Sequence, residues 1–319
     1  MPEKEPGLYY TSDSDSFKTT KQIQYDHIDE PILIREKTRD RVPTIDEWTE
    51  EFARRRDLRS EFEDLPQEIN VEIKTNQPIV IATIGDTHTG GTEVDYELLR
   101  HDIRFVASHP NAYAVLGGDI IEGLFFNPGQ DLQLGSWNEQ RMYNLALLDE
   151  LKNKILWLEC GDHDMWSGKT GTTIYNEIRQ RYGFPIVRGS SRCNLKLPGV
   201  TYKIVSAHQL PGSSMYNDNH PQKREAVFGT QGADIYISFH NHKKAFQKQE
   251  VDMYDECKEQ LLVASGSYKY ADEYSRKKGW GVQRPAKRGG VFIVVYPEVK
   301  RMEAYGTAEE AGDIIFKSI

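Results

Sequence analysis

From Pro78 onward the chain alternates short apolar runs with amphipathic stretches. "IVIATIGD" (79–86) is apolar almost to its end and predicts a buried strand. "VDYELLRHDIRFVASH" (94–109) spaces its apolar residues three and four apart and predicts a helix. The pair recurs as "AYAVLGGD" (112–119) with "EQRMYNLALLDELKN" (139–153), then as "ILWLECGD" (155–162) with "TTIYNEIRQRYG" (172–183). Strands alternating with helices imply an α/β sheet of parallel strands. After Phe184 the pattern turns strand-rich. "NLKLPGVTYKIVSAHQ" (194–209) predicts a hairpin, and "ADIYISFHNH" (233–242) and "GGVFIVVYP" (289–297) predict further strands.

The first part of the chain differs. Residues 1–30 are polar, rich in Ser, Thr and Asp, and without periodicity, which predicts poor order or order only with a partner. "TIDEWTEEFARRRDLRSEFE" (44–63) predicts a helix opened by a Thr44/Glu47 capping box, with Trp48, Phe52 and Phe62 on one face. The expected organisation is an acidic extension over 1–77 with a helix near 44–64, a main domain over 78–305, and a tail over 306–319.

Composition narrows the class. At 319 residues with 38% hydrophobic positions the chain can bury a large core. No apolar run approaches a membrane span, and the first residues lack the basic-then-apolar order of a secretory signal, so no membrane partner is expected. Three scattered cysteines, Cys160, Cys193 and Cys257, make no disulfide framework and point to a reducing, cytoplasmic compartment. The formal charge of -9 would disfavour a nucleic-acid partner, but it is uneven. Residues 1–77 hold 19 acids against 12 bases, while the other 242 residues hold 30 against 28. Acids that bind cations would leave that larger part neutral or positive, so a phosphate polymer stays open as substrate.

Ligand-type residues cluster where strands end. Asp86-Thr87-His88, Gly117-Gly118-Asp119, Asp162-His163-Asp164, Ser206-Ala207-His208 and His240-Asn241-His242 all fall there, with five of the nine histidines among them. Each piece alone is a turn or a core histidine. Together, at the carboxyl ends of strands that line one crevice, they read as metal ligands. Carboxylates and imidazoles without thiolates suit Mn²⁺ first, with Fe or Zn²⁺ as alternatives. Asp86, His88, Asp119, Asp162, His208, His240 and His242 exceed what one ion uses and fit two ions, spaced about 3.5–4 Å apart in enzymes that displace at phosphorus.

In this order, "GDTH", "GGDIIEG", "GDHD", "AH" and "FHNH" resemble the motifs of the calcineurin-like metallophosphoesterases over about residues 78–305. The resemblance implies a four-layer α/β/β/α sandwich of two mixed sheets flanked by helices. It implies a first ion on Asp86, His88 and His242, a second on Asp162, His208 and His240, and Asp119 between them. His163 would be the catalytic histidine beside the leaving group, with a metal-bridging hydroxide as nucleophile. Asp164 would orient the turn or a ligand, or else cap a helix.

Two positions depart from the family pattern. Asp162 stands where Asn is usual, which lowers the net charge of the ligand set and predicts weaker polarisation of bound water. Phe239 stands where Gly is usual. "GDIIEG" lacks the Arg of the protein phosphatases. "GGDIIEGLFFNPGQ" (117–130) is more similar to the exonuclease small subunit of archaeal family-D DNA polymerase, as is the segment 266–295. Between residues 268 and 288, Lys and Arg interleave with Tyr and Trp, as suits single-stranded DNA or DNA ends. Tyr268, Arg284 and Lys287 are the candidate substrate contacts. The expected activity is that of a DNA exonuclease or phosphodiesterase serving repair or replication. The alternatives are a phosphatase or cyclic-nucleotide phosphodiesterase acting on small molecules, or a metal-binding scaffold subunit that docks a protein through residues 1–77.

Overall fold

The structure, a computed structural model, describes residues 20–23, 32–35, 44–63, 67–124, 133–167, 173–253, 256–271, 276 and 281–317. The chain divides into two compact units, Met1–Asp64 and Leu65–Ile319. In the first, β1 (Thr20–Ile23) pairs antiparallel with β2 (Ile32–Arg35), so part of the polar stretch forms a strand; the rest of 1–30 lies outside the described residues. α1 (Ile45–Glu63) opens on the expected capping box. The Thr44 amide donates to Glu47 at 2.7 Å and the Glu47 amide to Thr44 Oγ1 at 3.3 Å. Trp48 and Phe52 stack at 5.2 Å, while the Phe62 side chain lies outside the described residues.

The second unit begins with β3 (Glu68–Glu72), β4 (Ile79–Ile84), α2 (Tyr96–Ser108), β5 (Ala112–Leu116), α3 (Trp137–Leu151) and β6 (Ile155–Glu159). A short α4 (Asp162–Trp166), α5 (Ile174–Arg181), β7 (Ile186–Val187), β8 (Ser191–Leu197) and β9 (Val200–Ala207) follow. α6 (His220–Phe228), β10 (Ile235–Ser238), β11 (Ala245–Met253), β12 (Glu256–Ala264), a 3-10 turn at Pro285–Lys287, β13 (Val291–Val295), β14 (Met302–Tyr305) and α7 (Ala308–Lys317) complete it. One sheet runs β14-β13-β4-β5-β6-β7, and its strands β4 to β7 are parallel. The other runs β11-β12-β10-β9-β8-β3, with β9, β10 and β12 parallel.

Alternation along the strands sorts the core into layers. On β4, Ile79 and Ile81 face the space between the sheets, where they meet Tyr202, Ile204, Ile235, Ile237 and Val263. Val80, Ala82 and Ile84 face the other way, onto Leu99, Ile103, Leu148, Ile178 and Ala311 of the covering helices. On the far side Val205, Tyr236 and Leu262 pack on Ala226 of α6. The result is the four-layer α/β/β/α sandwich. Each buried aliphatic side chain contributes roughly 1.5–3 kcal/mol, which ties the parallel strand ends to a fixed frame.

The boundaries differ from the sequence reading. β3 lies within 1–77 but pairs with β8, because Ile69 reaches the core between the sheets. Residues 306–319 hold α7, whose Ala308, Ala311 and Ile315 are buried, so this stretch is part of the packed unit. The β11–β12 hairpin lacks apolar periodicity because β11 is an edge strand and only the last residues of β12 are covered. Among the described residues no helix is long and apolar enough to cross a membrane.

Tyr202 pins the β13–β14 connection. Its hydroxyl lies 2.8–3.0 Å from the carbonyls of Tyr296, Val299 and Arg301, and it accepts the amides of Tyr296 and Arg301 at 3.2 and 3.1 Å. Tyr202→Phe strips these groups of their partner. It is expected to cost about 1–3 kcal/mol, read as a lower midpoint in urea without change of fold.

Candidate metal centre

The strand-end loops brace one another through motif carboxylates. Asp86, after β4, accepts the His240 amide on Oδ2 at 2.8 Å. Its Oδ1 is fully buried and has no hydrogen-bond partner. Asp119, after β5, accepts the His163 amide on Oδ1 at 2.8 Å and turns Oδ2 toward His208 Nε2, 3.4 Å away. The loops after β4 and β5 are joined by Asp86 N to Gly118 O and by His88 N to Asp119 O, at 3.0 and 2.9 Å. Asp164 accepts the Ile120 and Ile121 amides at 3.2 and 3.0 Å and the Tyr175 hydroxyl at 2.5 Å. It therefore orients the Asp119 loop; the residue at the α4 cap is Gly161.

Backbone conformation is unusual at these positions. Among the described residues, the non-glycine positions with positive φ are Asp86 (47°), His88 (45°), Asp119 (47°), His240 (68°) and His242 (53°), all expected ligands. The left-handed region is costly for such residues and persists where surrounding bonds enforce it. Phe239 supplies part of that enforcement. It is fully buried, and a Cβ added at Gly85 or Gly117 would meet its Cδ1 at 2.4 or 2.1 Å. The phenyl ring lies against the two glycines that precede the ligand loops.

Six of the seven expected ligands gather as two triads, Asp86/His88/His242 and Asp119/His208/His240. His88 Nε2 lies 3.1 Å from His242 Nε2, and His240 Nδ1 lies 3.3 Å from His208 Nε2. His208 gives its Nδ1 hydrogen to Gly117 O at 2.7 Å, which directs Nε2 inward. Facing imidazole nitrogens, an orphaned carboxylate oxygen and the absence of thiolate form a donor set that fits divalent cations. Asp162 stands apart, 60% exposed at its side chain, with Oδ2 3.7 Å from His240 Nδ1 at the outer lip. His163 is half-buried, gives its Nδ1 hydrogen to Glu122 O at 2.5 Å, and meets the His88 ring edge-on at 4.5 Å.

Charges in the centre are tightly coupled. Burial lifts Asp86 to about 8; His208 pulls it down and Asp119 adds to the rise. Burial, followed by the charges of His163, Lys269 and His242, drives His88 well below the usual imidazole range. Burial works against ionisation at both Asp119 and His208. Even so, their mutual hydrogen bond and attraction hold Asp119 below the carboxylate range and lift His208 to about 10. Burial and then His208 lower His240.

The candidate substrate contacts fare differently. Tyr268 corrects the sequence reading, because it is fully buried and its hydroxyl donates to Asp102 Oδ2 at 2.8 Å, leaving no face for a base. Its backbone explains the burial: Tyr268 N and Ser267 Oγ donate to Asp86 O at 3.3 and 2.7 Å, so this segment lines the centre from inside. Arg284 is exposed at the start of the 3-10 turn. Lys287 is exposed too, with Nζ donating to Lys244 O at 3.0 Å. The segment hangs from the centre through Gln283 Nε2, which donates to His242 O at 2.7 Å. Tyr274, Lys277, Lys278 and Trp280 lie outside the described residues. Sequence reasoning missed Glu122, although it sits in the same turn as Asp119, and read Lys269 as one of the segment's phosphate-tracking cations; the two instead form an ion pair at 2.7 Å beside His88.

No protein-family model and no curated protein matches the chain. Among solved structures it is similar to Vacuolar Protein Sorting 29 from Cryptosporidium parvum, with 13% identity, TM-score 0.37, and 72% of this chain and 97% of that one covered. It is also similar to Vps29 from Chaetomium thermophilum, with 10% identity, TM-score 0.37 and coverage of 71% and 96%. A third is the nuclease MPE of Pseudomonas putida, with 13% identity, TM-score 0.29 and coverage of 70% and 87%. At these values the likeness carries no argument about activity.

Protons and cations compete for these atoms. With Asp86 at about 8 and His208 at about 10, both hold protons at neutral pH when no ion is bound, and an ion must displace them. Mn²⁺ affinity is therefore expected to rise with pH up to about 8, where Asp86 has lost its proton, and less steeply from there to about 10, where His208 has lost its own. Calorimetry in buffers of different ionisation enthalpy should show proton release; pH-independent affinity without release contradicts this electrostatic account. Phe239→Ala should cost about 3–5 kcal/mol in thermal or urea unfolding and weaken Mn²⁺ uptake with it.

Proposed function

We propose that this protein is a dinuclear metal-dependent phosphoester hydrolase that cleaves phosphodiester bonds, with DNA as its substrate. The observation that carries the reading is the pair of triads, built from strand ends distant in sequence and held in strained backbone that ordinary turns do not require. Asp86, His88 and His242 would hold one ion and His208 and His240 the other, with Asp119 between them and Asp162 closing the outer side. Two divalent ions, Mn²⁺ foremost, supply Lewis acidity toward a phosphoryl oxygen and activation of water.

The protein's own groups have separate tasks. His163 has committed its Nδ1 hydrogen to Glu122 O, so Nε2 is the nitrogen left to face the leaving oxygen, to which it would pass a proton first taken up from solvent. Asp164 fixes the loop that carries Asp119, and the Asp119–His163 amide bond sets the histidine's distance from the centre. The site opens on one side. Asp86 and His88 form a buried floor, whereas the His240 and His242 side chains are 32% and 25% exposed. Arg284 and Lys287, on the segment tied to His242, place cations where a continuing phosphate backbone would run. An open lip with outlying cations favours a polymer over a small phosphomonoester.

The Mn²⁺-loaded protein should cleave bis-p-nitrophenyl phosphate and labelled single-stranded DNA faster than p-nitrophenyl phosphate, with the DNA reaction falling as salt rises. His163→Ala should keep Mn²⁺ uptake and lose about 10²–10⁴-fold in turnover. A metal-loaded protein that cleaves none of the three substrates refutes the reading and leaves the scaffold alternative.

A further inference from the structure

Behind the first triad runs a buried chain from cation to carboxylate to imidazole. Lys269 Nζ donates to Glu122 Oε1 at 2.7 Å, and Glu122 Oε2 stands 3.0 Å from His88 Nδ1. His88, Glu122 and Lys269 are only 2%, 3% and 7% exposed. Glu122 Oε2 and His88 Nδ1 face each other as an ion-pair contact without hydrogen-bond geometry, and neither atom has a hydrogen-bond partner. Burying an ion pair is costly, and unpartnered atoms beside it add to that cost, so the arrangement calls for a role other than stability.

The other nitrogen of His88 supplies the role. Nε2 faces His242 at 3.1 Å and Asp119 Oδ2 at 3.9 Å, inside the proposed centre. An imidazole ligates through one nitrogen and is oriented by what the other meets. Glu122, His88 and His163 also bring ligand atoms within 4.8 Å of one another, as a further cation would need. The Lys269 ammonium, already on that carboxylate, repels such an ion and takes its place. The same segment steadies the neighbouring ligand, since Lys269 N donates to Ser267 Oγ, which in turn donates to Asp86 O.

We propose that Glu122 and Lys269 are positioning residues of the first metal site, with Lys269 anchoring the Glu122 carboxylate and that carboxylate facing the Nδ1 edge of His88, so that the ring presents Nε2 to the ion. The proposal rests on the reading of the two triads as a dinuclear site. It concerns neither the ligands themselves nor the histidine at the leaving group.

The test is Mn²⁺ titration of the full chain by calorimetry and electron paramagnetic resonance, with unfolding midpoints measured alongside. Glu122→Leu alone strands a buried ammonium and can fail to fold, so the decisive variant is Glu122→Leu with Lys269→Met, which removes both charges and keeps the volume. Expected is a loss of about 10–100-fold in affinity for one ion and little change for the other. Glu122→Gln, whose amide oxygen keeps a polar face toward Nδ1, should recover part of that loss. A folded double variant that binds both ions as the parent does, or loses both equally, overturns the proposal. A parent that takes up no Mn²⁺ overturns the dinuclear reading instead.

Discussion

The centre depends on how Asp86 and Asp119 divide their carboxylate oxygens. One oxygen of each accepts a backbone amide from another strand-end loop, at His240 and His163, and the other faces inward. A carboxylate held this way is a structural tie and keeps one oxygen free to serve as a candidate cation donor. Four loops are thereby locked to two side chains, and the sandwich beneath holds the strands that carry them. Left-handed backbone at Asp86, His88, Asp119, His240 and His242 costs about 1–3 kcal/mol at each position, and a fold keeps such strain where placement of side chains matters.

The sequence made the strands β4, β5, β6, β10 and β13 legible, because they are buried almost throughout and read as apolar runs; β9 alternates at Thr201 and Lys203, which face solvent, before its buried end. Their terminal residues made the two triads legible as well, since parallel strands deliver their ends to one place. What stayed hidden obeys other rules. β11 is an edge strand with polar residues on both faces, so it shows no period. α7 is short, and the sequence gives no hint that Ala308 and Ala311 dock on a sheet far away in the chain. Tyr268 misled because an aromatic among lysines reads as a stacking platform; its burial follows from Ser267 and Tyr268 bonding to the Asp86 carbonyl, a long-range fact.

Phe239 stands where the motif that the chain resembles has glycine, and the packing around it absorbs the difference. Where a glycine would leave space beneath the ligand loops, the phenyl ring fills it, and Gly85 and Gly117 leave room for the ring by having no Cβ. The conformational freedom of these glycines is secondary here; their value is the volume they vacate. The three positions thus form one packing unit, and a side chain at either glycine would displace the ring and with it the turn before His240.

Asp162 is the second departure, and its consequence depends on solvent. As a fully buried ligand its charge would offset the cations strongly and weaken their pull on water. Its side chain is instead 60% exposed and 3.7 Å from His240, so water screens it as it does a surface ion pair. The buried carboxylates of Asp86 and Asp119 face the floor of the centre, while Asp162 acts from the rim. Replacing an amide by a carboxylate there alters how readily the outer side attracts a cation more than it alters the interior. The substitution is therefore compatible with the proposed chemistry at the floor, and its effect would fall on a cation held nearest the lip.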